Sequence, residues 1–291
     1  MTAAWEPKIR ALSADLRSPS SVLALRAGDL LREVASTDPE LLAEAARAIV
    51  LSQPALAAVA NVANFVLRAV EVLGMASVGN ALDSLRQGLD ADRHAAAAAL
   101  VERVHSPVRV VTTSANVLVA EVIQALHRRE LLAGVVCAES RPLHEGTAFA
   151  RWLAAQERTV TLVSDAGLCA HLEGNAILVV GVESILPRHV VHRTGTRMHA
   201  VWARLAGVPR FALATRDRIY PQELLGRFAL PSHPPSELLR DPPAGLSVDS
   251  RAYDVSEHET WSEILVGGQP VTIAEQRGDH KLARCLEQLV V

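Results

Sequence analysis

The sequence predicts an α/β protein: a helical N-terminal domain followed by a Rossmann-like, doubly wound parallel sheet. Three observations carry this expectation. Residues 1 to about 105 hold several helical patterns and almost no strand pattern. From Pro107 onward, short apolar runs alternate with helical stretches, as parallel β-α-β units require. Four of those runs end in a polar cluster, and open α/β sheets bind ligands beyond the carboxyl ends of their strands.

Taken in order, Ser20 or Ser21 can cap a helix carrying Leu25, Leu30, Leu31 and Val34, and Thr37-Asp38-Pro39-Glu40 reads as a cap with proline in the next first turn. Alanine then dominates Leu41 to Ile49, Pro54 to Leu73 and Asp92 to Val104, which lets helices approach closely and predicts a compact bundle. Pro107 stops the last helix. The boundary is therefore drawn there, with a helical domain over 1–106 and a Rossmann-like domain over 107–291. Strands are expected near 108–112, 134–138, 159–163, 176–180 and 210–214, with helices near 116–130, 145–157, 166–172 and 194–206. Right-handed crossovers turn such an alternation into a three-layer sandwich. Leu230 to Gly245, with five prolines, reads as an extended loop, and Ser247 to Arg251 and Pro270 to Ile273 as short strands.

Composition narrows the classes of function. With 291 residues and 49% hydrophobic content the chain can bury a sizeable core, and a formal charge of −3 gives it no basic field for nucleic acid. Three widely spaced cysteines, Cys137, Cys169 and Cys285, suit a reducing compartment and make neither a disulfide framework nor a zinc site. The opening residues lack the apolar core of a signal peptide. Ala55 to Val72, the nearest approach to a membrane helix, is interrupted by Asn61, Asn64, Arg68 and Glu71. A cytoplasmic location with no membrane partner is expected. The eleven histidines form no ligand set, so no metal is expected, and the glycine-rich nucleotide fingerprints that would announce a cofactor are missing.

The candidate site residues lie at the strand ends. Thr113 and Ser114 precede a helix, where they either face a phosphate bound at its amides or cap it. Glu139 and Arg141 stand two residues apart after the second strand: Arg141 can hold a phosphate with Glu139 orienting it, or the two form a structural ion pair. Asp165 can act as an acid or base or cap the following helix. Glu183 has no comparable structural reading. His192-Arg193-Thr194-Gly195-Thr196 offers two cations, two hydroxyls and turn amides to an anion. Cys137, at a strand end, is either a proton donor or a buried apolar cysteine.

Together, Thr112-Thr-Ser114, Glu139-Ser-Arg141-Pro-Leu-His-Glu-Gly146, Thr161-Leu-Val-Ser-Asp165, Val180-Gly-Val-Glu183-Ser-Ile185 and His192-Arg-Thr-Gly-Thr196 resemble the superfamily of aldose-1-phosphate isomerases and initiation factor 2B. Ser52-Gln-Pro54 through Asn61 and Asn64, and Tyr253-Asp-Val-Ser256, resemble motifs of the initiation-factor branch, so the resemblance covers nearly the whole chain. It implies a phosphosugar pocket between the domains and a homodimer through the C-terminal domain. It places the isomerases' catalytic cysteine on Ser114, their catalytic aspartate on Glu183, their phosphate-holding Asn-Lys pair on His192-Arg193, and their Glu-Thr-Arg-Pro arginine on Arg141. Both catalytic positions are changed. A serine hydroxyl is a far weaker acid than a thiol, whose unperturbed pKa is about 8.5. Glu183 adds a methylene, and a misplacement of about 1 Å can cost on the order of 10²-fold in rate. Two expectations follow: an isomerase using Glu183 without the usual cysteine, its acid being Asp165, Cys137 or Glu139, or a non-catalytic subunit that senses a phosphosugar or nucleotide.

Overall fold

The alanine-rich first third folds into five helices, α1 (Glu6–Ala14), α2 (Ser20–Thr37), α3 (Leu42–Ser52), α4 (Ala57–Leu73) and α5 (Val78–Val101), in a computed structural model describing residues 4–271 and 281–290. Small side chains do what the composition predicts. Ala57, Ala58, Val59, Ala60, Val62 and Ala63 are all buried, so the first half of α4 is enclosed by its neighbours. Leu23, Leu31, Leu42 and Ile49 fill the space around it, and burying each such side chain contributes about 1.5–3 kcal/mol.

The sheet strands are β1 (Val108–Thr112), β2 (Leu132–Ala138), β3 (Val160–Val163), β4 (Ala176–Gly181), β7 (Arg210–Ala214), β9 (Glu263–Val266) and β10 (Gln269–Pro270). They run in the order β10-β9-β7-β4-β1-β2-β3, parallel except for β10. Period-two alternation splits their side chains between two cores. Val110, Val135, Ile177 and Phe211 pack with α6 (Val117–Arg128), α7 (Glu145–Ala155) and the end of α5; Val111, Val136, Leu178 and Ala212 pack with α8 (Thr196–Leu205) and Leu168. Helices therefore cover both faces, as a doubly wound sheet requires.

A second sheet, unforeseen in the sequence, joins the two layers. It is antiparallel, in the order β5 (Ser184–Ile185), β6 (His189–Arg193) and β8 (Tyr253–Glu257). Val191 and Tyr253 belong to the hydrophobic core of the helical bundle, which thereby packs directly on this sheet. Two asparagines on α4 tie the bundle to the segment after β7 and to the C-terminal residues. Asn61 Nδ2 donates to the carbonyls of Asp217 (2.8 Å) and Ile219 (2.7 Å), and Asn64 Oδ1 accepts from the Ala283 amide at 2.8 Å.

Several expectations need correction. The third predicted helix is a 3₁₀ segment, Ala166–His171. The strand expected at 247–251 lies instead at Tyr253–Glu257, where pairing with β6 sets it. Of the strand expected at 270–273 only Pro270 is in β10, and Ile273 lies outside the described residues. Ser20 is the first residue of α2 but makes no cap, because its hydroxyl is engaged elsewhere. Residue 106 lies on the connection from α5 to β1, yet Ala96, Ala97, Ala99, Leu100 and Val101 of α5 already pack in the sheet core.

Candidate functional site

β1 and β4 are neighbours in the sheet, and the chain leaves them toward opposite faces, with α6 following β1 and the path to α8 following β4. Such a reversal opens a crevice at the carboxyl ends of the strands. A cavity of about 350 Å³ occupies it, bounded by Ser114 after β1, Glu183 after β4, Thr215 after β7, and by α2 and α5 of the bundle.

Its floor is charged. Glu183, only 8% exposed, has one carboxylate oxygen against the Ser20 hydroxyl and 3.1 Å from Arg218 Nη1. Arg218 also contacts Ser20 Oγ and lies 3.6 Å from Asp217 Oδ1, whose carboxylate takes the Thr215 hydroxyl. At the end of β6, Arg193 donates from Nη2 to Glu145 Oε1 at 2.7 Å, stands 4.0 Å from the second oxygen of Glu183, and lies 4.8 Å from the centre of the Tyr253 ring. Burial works against the Arg193 charge, and Tyr253, Glu183 and Glu145 more than offset that penalty. Burial pushes the Tyr253 hydroxyl up to about 12. Burial also raises the Glu145 carboxyl, with Arg193 opposing the shift and Glu183 adding to it.

The opposite wall is apolar, made of Ala24, Leu25, Leu82, Leu85 and Leu89, and Arg86 and Arg93 stand at the rim. The site thus presents fixed charges on one side and a hydrocarbon surface on the other. Such a combination orients a polar ligand while excluding water.

Ser114 lies on the cavity wall. Its Oγ is 3.3 Å from the Gly181 carbonyl oxygen, and its amide donates to Thr112 Oγ1 at 3.0 Å. It does not cap α6, because Asn116 Oδ1 accepts the Leu118 amide at 2.8 Å. Nor does Thr113, whose hydroxyl pairs with that of Thr196 at 2.9 Å. Asn116 packs where a Cβ on Gly181 would sit, which accounts for the glycine at the end of β4.

The remaining expected site residues are not among those lining the cavity. Asp165 neither caps a helix nor faces the cavity: its two oxygens accept the amides of Ser140 and Arg141, both at 2.8 Å, and hold that loop in place. Arg141 is exposed, with Nη1 3.1 Å from His144 Nε2, while Glu139 lies 3.5 Å from His144 Nδ1, so the two face the same histidine rather than each other. His192 is fully buried between Asp254, the Ser256 hydroxyl (2.8 Å) and the edge of Trp261. The Thr194 hydroxyl is bound to the Arg251 carbonyl at 2.8 Å, and the Gly195 amide to Asp254 Oδ2 at 2.9 Å. The Thr194–Thr196 turn does attract an anion, but the anion is Asp254. Cys137 is buried in β2 and its thiol is pushed up to about 12 by burial, so of its two readings the apolar one holds.

Ser20, Glu145, Asp217 and Arg218 were missed as site residues. Arg216-Asp217-Arg218 follows a fifth strand end and carries the same polar pattern as the other four, and Glu145 lies within the Glu139–Gly146 motif. Nothing local marks Ser20.

Over residues 18–259 the sequence matches the model of the initiation factor 2 subunit family. The chain belongs to that family. Among solved structures, this family member is similar to the translation initiation factor eIF-2B of Pyrococcus horikoshii OT3, at 21% identity and a TM-score of 0.77, covering 93% of this chain and 98% of that one. It is also similar to the 5-methylthioribose 1-phosphate isomerase of the same organism (20% identity, TM-score 0.68, 98% and 86% covered). A third similarity is to the tetrameric eIF2B-beta2-delta2 complex from C. thermophilum (16%, 0.66, 94% and 93%). At these identities the likeness is one of fold. Of the positions singled out in this initiation factor 2 subunit family member by its resemblance to the isomerases, Ser114, Glu183 and Arg193 meet at the cavity, whereas Arg141 and His192 do not. Among the described residues no helix is long and apolar enough to cross a membrane, and no group of three or more His, Cys, Asp and Glu side chains is placed to hold a metal ion.

Proposed function

We propose that the chain binds a phosphorylated sugar or nucleotide in the cavity at the switch point, and that it is an aldose–ketose type isomerase using Glu183 as base. One observation carries this reading: Glu145 and Glu183, two carboxyl groups, face the same guanidinium, Arg193, inside the cavity. Arg193 supplies the charge for a phosphoryl group, and the start of α6, Asn116 to Leu118, lines the same space beside Ser114.

A thermal-shift titration with millimolar ribose 1-phosphate and adenosine 5′-monophosphate tests the binding. A rise of a few degrees is expected, and an unchanged midpoint with both counts against a phosphosugar site. Turnover is tested by solvent deuterium entering the sugar carbons, which wild type should catalyse and Glu183→Gln should lose.

A second reading, a subunit that senses such a ligand without turning it over, is favoured by Ser114, which offers no thiol, and by the inaccessibility of Cys137. Ligand-induced stabilisation with no deuterium incorporation in wild type selects it.

Self-association belongs to either reading. On α8, Met198, Val201, Trp202 and Leu205 are exposed at i, i+3, i+4 and i+7, while Thr196, His199, Ala200 and Ala203 face inward. This apolar stripe of the C-terminal layer is the face proposed to pair with a second copy. Trp202→Glu is expected to convert a dimer to a monomer in light scattering after gel filtration, and an unchanged mass would exclude α8 from the interface.

A further inference from the structure

We infer that Glu145 is the general acid of this site, working opposite Glu183 on an aldose 1-phosphate. The inference rests on the isomerase reading, and assigns to Glu145 the acid that Ser114 cannot supply and that Asp165, Cys137 and Glu139 are not placed to supply. The two carboxyl groups share Arg193 but are otherwise differently furnished. Glu183 has the Ser20 hydroxyl, Arg218 at 3.1 Å and Arg193 at 4.0 Å. Glu145, at the first turn of α7, has one ion-pair partner among the described residues, Arg193 at 2.7 Å. Two carboxyl groups in unequal surroundings divide into one acid and one base.

The groups acting on Glu145 are Arg193 from β6, Tyr253 from β8 and Glu183 after β4, and the other charged groups lining the cavity are Asp217 and Arg218 after β7 and Arg86, Asp90 and Arg93 of α5. The closest are Arg193, whose charge Glu183 and Tyr253 also share, and Glu183, whose negative charge disfavours a second carboxylate nearby. Burial works in the same direction as Glu183, so the proton stays on Glu145 above the ordinary carboxylate range.

The reaction balances without an external reactant. Glu145 gives its proton to the ring oxygen as the C1–O bond of the ring breaks. Glu183 takes the proton from C2, and the electron pair of that C–H bond forms the C1–C2 double bond of the open chain. The Glu183 proton then returns to C1 while the C2 hydroxyl gives its proton to the Glu145 carboxylate, leaving a ketone at C2. The phosphate ester at C1 is unchanged, and both carboxyl groups end as they began.

The test compares wild type, Glu145→Gln and Glu145→Asp with ribose 1-phosphate and ribose 1,5-bisphosphate in deuterated buffer, following ketose formation by NMR and binding by calorimetry. E145Q is expected to bind within a few-fold of wild type, lose turnover by about 10²–10⁴-fold, and lose the high-pH limb of the kcat profile. E145D keeps a proton to give and should retain more activity than E145Q. Stability provides a readout without substrate. A raised folded-state pKa contributes stability that is complete below the unfolded value of about 4.3 and is lost as pH rises through the folded value. The stability of wild type relative to E145Q should therefore fall as pH rises above about 4 and through the raised folded-state value.

Failure of wild type to bind either sugar would remove the isomerase reading itself. Binding by wild type without turnover at any pH leaves the binding site and overturns the acid assignment. Turnover by E145Q with the high-pH limb intact puts the acid elsewhere.

Discussion

Replacing Arg218 by alanine is expected to lower folding stability by about 3–5 kcal/mol, the cost of leaving buried charge without its partner. Arg218 is 7% exposed and lies within 3.1 Å of Glu183 and 3.6 Å of Asp217, with Ser20 of α2 bonded to the same group. The alanine variant retains both carboxylates at buried positions, where Glu183 has only the Ser20 hydroxyl and the 4.0 Å contact with Arg193 left. The network also bridges the layers, since Ser20 belongs to the bundle while Glu183 and Arg218 follow sheet strands. A urea midpoint shifted at constant slope is the expected observation. Arg251, exposed and paired with exposed Asp249, serves as the control, and its alanine variant should leave the midpoint where it was. Replacing Arg218 and Glu183 together by methionine should recover part of the loss, because apolar residues of similar volume avoid the uncompensated charge. Equal midpoints for R218A and R251A would mean that the cluster is solvated and adds nothing to the fold.

The same cluster marks how far the sequence is legible. The strands of the parallel sheet could be placed because Val108–Thr112, Gly134–Cys137 and Ala176–Val180 are continuous apolar runs bounded by turn residues, a pattern fixed by burial on both faces. β6 and β8 carry histidine, arginine, aspartate and serine, and they become strands by pairing across some sixty residues, a cause that no local pattern contains. Ser20 reads equally well as a helix cap; only the approach of α2 to β4 makes it a partner of Glu183. The Thr194–Thr196 turn reads from the sequence as receptive to an anion. The sequence could not tell that Asp254, brought alongside by the β6–β8 register, takes that place. Local chemistry was legible in each case, and the identity of the partner was set by topology.

Gly146→Ala is expected to have the second large effect, and it acts on stability and on the site together. A Cβ at this position would overlap the Ala138 carbonyl oxygen at the end of β2 and stand 2.8 Å from Ser140 Oγ. The serine can rotate, but the carbonyl is backbone at the last residue of β2 and cannot. The start of α7 must therefore withdraw from the strand, and overpacking of this kind costs about 1–3 kcal/mol. Glu145 is the adjacent residue, and its bond to Arg193 depends on the position of that first turn. A withdrawal of about 1 Å would lower turnover on the order of 10²-fold where geometry governs the step. The two consequences separate by experiment: the change in urea midpoint reports the packing, and the ratio of turnover to binding measured well below that midpoint reports the displacement of Glu145. If G146A lost stability but kept its turnover, Glu145 would be no more than a counter-ion to Arg193. If it lost both, the glycine that closes the Glu139–Gly146 motif would be there so that α7 can approach β2 closely enough to hold a carboxyl group over the cavity.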